Sequence, residues 1–179
     1  HFEATGRTEM LDLARKAADR VVADFRGKGP DWTPGHEGIE IALLRLHEII
    51  PGDKLYLELA RQFIEQRGRA SGFAISVLRQ NLQVGKRDRY VQTQKQAYLA
   101  AHPVYKPYQL PPGNRSEKPR FSTLRWYAST LSGKYLQQHA PVRRQTTPGG
   151  QAGRFAYLET ATALLARLSD DQTLLPAIE

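Results

Sequence analysis

Apolar and polar positions follow a helical period through the first third of the chain. Met10, Leu11, Leu13, Ala14, Ala17, Ala18, Val21, Val22 and Phe25 recur at i, i+3, i+4 and i+7, while Arg15, Lys16, Asp19 and Arg20 fall mostly on the opposite side. This pattern predicts an amphipathic helix that stops at Gly27, since a residue with no Cβ tolerates the left-handed conformation that closes a helix. A loop over 27–34 then leads to a second helix over about 36–50. Pro51-Gly52-Asp53 breaks it, and a third helix over about 55–66 ends at Gly68.

The first and third of these helices are copies of one another. Gly6, Met10, Leu11, Asp12, Leu13, Ala14 and Arg15 align with Gly52, Tyr56, Leu57, Glu58, Leu59, Ala60 and Arg61 at an offset of 46 residues. A weaker third copy starts near Ser169-Asp170-Asp171, with Leu174 and Leu175 in the places of Met10 and Leu11. A helical segment precedes each copy, over 1–5, 39–50 and 157–168. The repeating unit is therefore a helical hairpin with a Gly or Asp turn. One such hairpin cannot bury its apolar face alone. Stacked hairpins form an open solenoid or, when the array closes, an α/α toroid of inner and outer helices. A closed ring needs more hairpins than these, and the chain opens at His1 directly into helical text, so the sequence reads as part of something longer.

Between the hairpins the periodicity fades. Residues 73–82 predict a short helix, whereas Pro103, Pro107, Pro111, Pro112 and Pro119 predict a loop over 101–120. The text is compatible with a functional insertion and also with a stretch read in a shifted frame. Charge marks the same region. Residues 67–144 hold 15 Lys or Arg against only Asp88 and Glu117, leaving 11 basic and 16 acidic residues for the rest of a chain whose net charge is +8. Arg79, Lys86, Arg87 and Arg89, with Tyr90, Tyr98, Tyr105 and Tyr108, offer phosphate contacts and stacking rings. The same composition also describes a solvated surface.

Composition narrows the chemistry. With 179 residues, 40% of them hydrophobic, the chain suits one globular domain and no membrane span, its longest apolar runs being interrupted by charge. It contains no cysteine, which removes disulfides, thiolate metal sites and a cysteine nucleophile from these residues. Phosphate-binding glycine loops, dinucleotide fingerprints, zinc-protease motifs and the serine-hydrolase elbow are all missing, and no two histidines have metal-ligand spacing.

Two strings remain as candidates. In Thr33-Pro34-Gly35-His36-Glu37-Gly38-Ile39-Glu40, the Pro-Gly turn puts His36 in the first helical turn, where unpaired N–H groups favour a neutral ring. A neutral imidazole donates from one nitrogen and accepts at the other, as a sugar hydroxyl requires. Glu37 and Glu40 are either ligand contacts or partners of the helix dipole. In the second string, Gly149-Gly150-Gln151-Ala152-Gly153-Arg154 presents a helix start at the end of a loop. Gln145, Gln151 and Arg154 could then reach a polyhydroxylated ligand, or simply cap and close that loop.

These strings resemble glycoside hydrolase family 127, the β-L-arabinofuranosidases and their relatives. The resemblance is carried by Ala4-Thr5-Gly6 with Leu11-Asp12-Leu13-Ala14, by the Pro34-Gly35-His36-Glu37-Gly38-Ile39-Glu40 string and by Tyr56-Leu57-Glu58-Leu59-Ala60-Arg61 onward to Gly68. It resumes at Gln138-His139-Ala140-Pro141-Val142-Arg143 and over 150–165, covering about 1–69 and 133–179 but not the basic segment over about 70–132. It implies an all-α fold, part of a six-hairpin (α/α) toroid, and retaining exo-hydrolysis of arabinofuranosides from plant glycans. It also implies a zinc-bound cysteine nucleophile and a glutamate acid/base in the whole enzyme. None of those groups falls in the matched regions, so this chain by itself is expected to hold no zinc and to be inactive. His36 matches a histidine that looks like a sugar contact, and Glu37 accompanies it. Gln151 stands where the family pattern Gly-His-Ala-Val-Arg has its histidine, and Arg144 where the family usually has Glu. Glutamine can still hydrogen-bond a hydroxyl but does not titrate. The expected partner is accordingly a carbohydrate, with no membrane. The alternatives are a helical scaffold that binds an anionic partner through 67–144, and a lyase or epimerase on the same toroid.

Overall fold

The computed structural model describes residues 1–50, 52, 54–102 and 120–177, the side chains of 78–88, 120–124, 126, 175 and 177 excepted. Its helices are α1 (Phe2–Thr5), α2 (Glu9–Phe25), α3 (Gly38–Ile49), α4 (Leu55–Gln66), α5 (Phe73–Ala101), α6 (Arg120–Leu131) and α7 (Ala152–Ser169), with short 3-10 turns between several of them. No strand occurs among the described residues. The three hairpin turns of the repeat share one backbone state. Gly6, Gly52 and Asp170 have φ of 70°, 108° and 53°, and each stands between a helix and the next repeat unit. In the third unit the described residues form a 3-10 helix (Gln172–Ala177) whose Leu174 is fully buried.

α3, α4 and α7 pack against one another, and α2 lies against α4. The reason is visible in their buried positions. α4 buries Tyr56, Leu59, Ala60, Phe63 and Ile64, and α7 buries Leu158, Ala161, Thr162, Leu165 and Ala166, both at helical spacing. Each fully buried leucine contributes roughly 1.5–3 kcal/mol. Phe25 of α2 meets Phe63 edge-on, with ring centroids 5.6 Å apart. Thr162 is accommodated because its hydroxyl donates to the Leu158 carbonyl at 2.8 Å.

α2 is only half covered. Ala18 is its single buried residue, while Met10 and Leu13 are 59% and 62% exposed. Between α2 and α3 lies an open groove of about 400 Å³ lined by Ala14, Ala17, Val21, Ala42, Leu46 and their apolar neighbours. The apolar face of α2 is thus left partly open.

The short helix expected over 73–82 continues to Ala101. Its far half is rich in Gln, Lys, Arg and Ala, which favour helix without help from packing. From Arg89 to His102 every residue but the half-buried Leu99 is exposed, so no apolar stripe announces the helix in the sequence. Residues 103–119, including most of the proline-rich loop together with Tyr105 and Tyr108, lie outside the described residues, as do the side chains of Arg79, Lys86 and Arg87. No described helix is long and apolar enough to cross a membrane.

Candidate functional site

The turn at Pro34-Gly35-His36 enters α3, which begins at Gly38 with Glu37 as its N-cap. His36 therefore stands one residue ahead of the cap rather than inside the first turn as the Pro-Gly spacing suggests. It still meets the helix end. The Gly38 N–H donates to His36 Nδ1 at 3.1 Å, which leaves the ring hydrogen on Nε2. His36 is exposed, and its ring lies against Tyr157 of α7 with centroids 5.5 Å apart. Tyr157 is itself 46% exposed.

Beneath this turn is a buried ionic cluster. Arg67, Glu37 and Glu40 are all 0% exposed. Arg67 donates to Glu40 Oε1 from Nε at 3.0 Å and from Nη2 at 2.5 Å, and to Glu37 Oε1 from Nη1 at 3.5 Å. The second Glu37 oxygen lies 3.4 Å from Arg154 Nη1, which also donates to the Gly35 carbonyl. Two guanidinium groups thus face two carboxylates, a balance that burial requires. Glu40 Oε2 has no hydrogen-bond partner among the described residues, and burial pushes the Glu40 carboxyl above the ordinary carboxylate range against the opposing pull of Arg67.

Glu37, grouped with His36 from the sequence, therefore directs its carboxylate into the protein and lies under the exposed histidine. Arg67 carries no role in the sequence reading, and Glu40 is read there only as a ligand contact or a partner of the helix dipole. One signal was available: Glu40 shares a helix face with Leu43 and Leu44, and a carboxylate on a core-facing stripe needs a buried cation.

α7 supplies the other wall. Gln151 is its N-cap, exposed and making no side-chain cap bond. Gln151, Arg154 and Tyr157 follow one another at intervals of three residues, so one edge of α7 runs from Gln151 to the His36 ring. Arg154 also places its guanidinium over the Tyr135 ring, 5.2 Å from the centroid. Gln145 and Gln138 are tied to the backbone. Gln145 is buried and donates to the Ala140 carbonyl at 2.8 Å. Gln138 Oε1 accepts from the Gly68 N–H at 2.8 Å, tying the 133–141 segment to the end of α4. At Gly68, φ is 71° and a Cβ would lie 2.1 Å from the Ala140 carbonyl, so this approach requires glycine. His139 is half-buried, and desolvation together with nearby Lys134 pushes its ring below the usual histidine range. Arg144 is exposed.

No three His, Asp or Glu side chains gather as a metal site among the described residues, and the chain has no cysteine. A zinc-thiolate centre does not fit the donor set of this chain. The arrangement can instead offer an imidazole N–H beside a tyrosine ring on one exposed edge, with buried charge beneath the turn.

Comparison with known proteins extends the picture. The family described as "Beta-L-arabinofuranosidase, GH127 catalytic domain" matches residues 1–179, a span that includes the basic middle for which the sequence motifs show no counterpart. A non-reducing end β-L-arabinofuranosidase of Bifidobacterium longum subsp. longum is 30% identical over 180 residues, covering 98% of this chain and 21% of that protein. The crystal structure of a GH127 β-L-arabinofuranosidase from Geobacillus stearothermophilus T6 superposes with a TM-score of 0.60 at 30% identity, covering 99% of this chain and 22% of that one. A further GH127 β-arabinofuranosidase structure gives 0.58 at 26% identity, covering 99% and 19%. The helical hairpins are thus a segment of an (α/α) toroid, and the chain spans about a fifth of the length of these relatives.

Proposed function

Because the chain belongs to the catalytic-domain family of glycoside hydrolase family 127, we propose that it is one segment of a glycoside hydrolase acting on β-L-arabinofuranosides. In this reading the segment contributes sugar binding and the bond-breaking groups lie elsewhere in the whole enzyme, so the 179 residues alone do not hydrolyse a glycoside. The observation that carries the reading is the exposed edge where His36 meets α7. Its Nε2–H, left over once Nδ1 has accepted the Gly38 N–H, donates to a sugar hydroxyl. Gln151, exposed at the start of α7, offers a carbonyl and an amide to a neighbouring hydroxyl. Tyr157 flanks the imidazole and supplies an apolar surface for a ring face. The open α2/α3 groove agrees with this reading, since a neighbouring hairpin covers such a face in a closed toroid.

The test is kinetic. In the full-length gene product, His36→Ala should lower kcat/KM on p-nitrophenyl β-L-arabinofuranoside by about three- to tenfold, the effect of one hydrogen bond of roughly 0.5–1.5 kcal/mol. Stability should barely change, because His36 is exposed. Unchanged kinetics in that variant would remove His36 from the sugar site, and absence of arabinofuranoside hydrolysis by the unmodified gene product would sink the substrate assignment.

A further inference from the structure

We propose that Arg154 is a positioning residue that clamps the turn carrying His36 against α7 and so aims His36 Nε2 at the sugar. The inference rests on the sugar-site reading above, but its geometry stands apart from it. One nitrogen of Arg154, Nη1, donates to the carbonyl of Gly35 and lies 3.4 Å from Glu37 Oε2. Gly35 and Glu37 are the two neighbours of His36, so a single cationic group holds the backbone on one side of the histidine and the side chain on the other.

The clamp has a rigid foundation. Glu37 is 0% exposed, and its other oxygen, Oε1, lies on Arg67, which is equally buried and also held by Glu40. The carboxylate that receives Arg154 therefore cannot swing out to water without breaking a buried ion pair. Arg154 is steadied in turn by the Tyr135 ring beneath its guanidinium. Above it, the Gly38 N–H and the Tyr157 ring restrict the imidazole itself. A side chain fixed in this way meets its ligand without a further ordering cost, and orientation of this kind raises affinity without any new contact to the ligand. Arg154 need not touch the sugar.

Both Arg154 contacts leave from one nitrogen, which separates this role from a merely structural one. An ammonium can reproduce them, so Arg154→Lys should retain the clamp, whereas Arg154→Met fills similar space and abolishes it. In the full-length gene product, selective 13C labelling of the imidazoles gives a spectrum in which His36 is assigned by its loss in His36→Gln. The ligand probe is methyl β-L-arabinofuranoside, whose anomeric methyl group prevents ring opening. Arg154→Met should move the His36 signal to that of a freely averaging imidazole and raise the Kd for the probe about tenfold, with Arg154→Lys close to the unmodified chain on both measures. An unaltered His36 signal and Kd in Arg154→Met would overturn the proposal. So would a His36 backbone amide in the unmodified chain that is less ordered than the helices, a measurement that needs no variant to fold. If the probe shifts no histidine signal while Arg154→Met still releases His36, the clamp stands and the sugar reading falls.

Discussion

Two glycines provide a matched comparison within one molecule. Gly27 follows α2 and Gly68 follows α4, with φ of 73° and 71°. Each donates its N–H to a glutamine Oε1, Gly27 to Gln62 at 2.9 Å and Gly68 to Gln138 at 2.8 Å. Local conformation and hydrogen bonding are therefore the same, and only the surroundings differ. An alanine Cβ at Gly27 meets no atom within 4 Å, whereas at Gly68 it would stand 2.1 Å from the carbonyl carbon and oxygen of Ala140 and 2.5 Å from Pro141 N. For Gly27→Ala the cost is the left-handed conformation alone, about 1–2 kcal/mol, reduced by roughly 0.4–1 kcal/mol through the stiffer unfolded chain. Gly68→Ala adds displacement of a neighbouring backbone, about 1–3 kcal/mol by analogy with overpacking. It also adds the bond to Gln138, about 0.5–1.5 kcal/mol. The expected losses are therefore about 1 kcal/mol at Gly27 and about 3–5 kcal/mol at Gly68. Urea unfolding of the two variants, followed by far-ultraviolet circular dichroism, measures the difference directly. With a slope of about 2 kcal/mol/M, the Gly68 midpoint should fall below the Gly27 midpoint by about 1–2 M. Equal losses would show that the approach of Ala140 to the end of α4 contributes nothing, and that reasoning would have to be abandoned.

Arg67→Met should cost about 3–5 kcal/mol, because it strands two buried carboxylates, and the double variant Arg67→Met/Glu40→Gln should recover at least half of that loss by leaving Glu37 with Arg154 alone. A double variant no more stable than the single one in urea unfolding would mean that uncompensated charge is not the cause. Asp171 is held down from its ordinary 3.8 to about 2 by the Thr173 hydroxyl and then by Arg143. Its native pKa lies below the unfolded one, so its contribution to stability is complete above pH 3.8 and is lost as pH falls through about 2. Acid titration of unfolding should therefore be shallower in Asp171→Asn over that window, and an identical slope would exclude Asp171 as a source of acid sensitivity.

Sequence alone determined the features whose energetics are local. The helical period of α2 and the bounds of α4 at Leu55–Gln66 were legible because apolar spacing and a following glycine act within a few residues. The hairpin repeat was legible for the same reason, and its turns at Gly6, Gly52 and Asp170 all adopt the left-handed state. The family resemblance was legible in the strings around His36 and Gly68. Where local signals were weak, the reading stopped short. α5 runs to Ala101 with no apolar face to announce it, its far half being exposed from Arg89 to His102 except at Leu99.

Tertiary structure decided everything that depends on which residues meet across the chain. Glu37 could be read as a ligand contact or a dipole partner, and only the return of α4 put Arg67 within 3.5 Å of it. Arg154 lies 117 residues from Glu37, and nothing near either one in the sequence states that they pair. The physical reason is the same in each case. A turn or a cap is selected by the backbone preferences of a few neighbouring residues, whereas a buried charge is tolerable only once its partner has been brought in from elsewhere by packing. The residues most tightly bound to the candidate sugar site are for that reason the ones that periodicity and spacing alone could not assign.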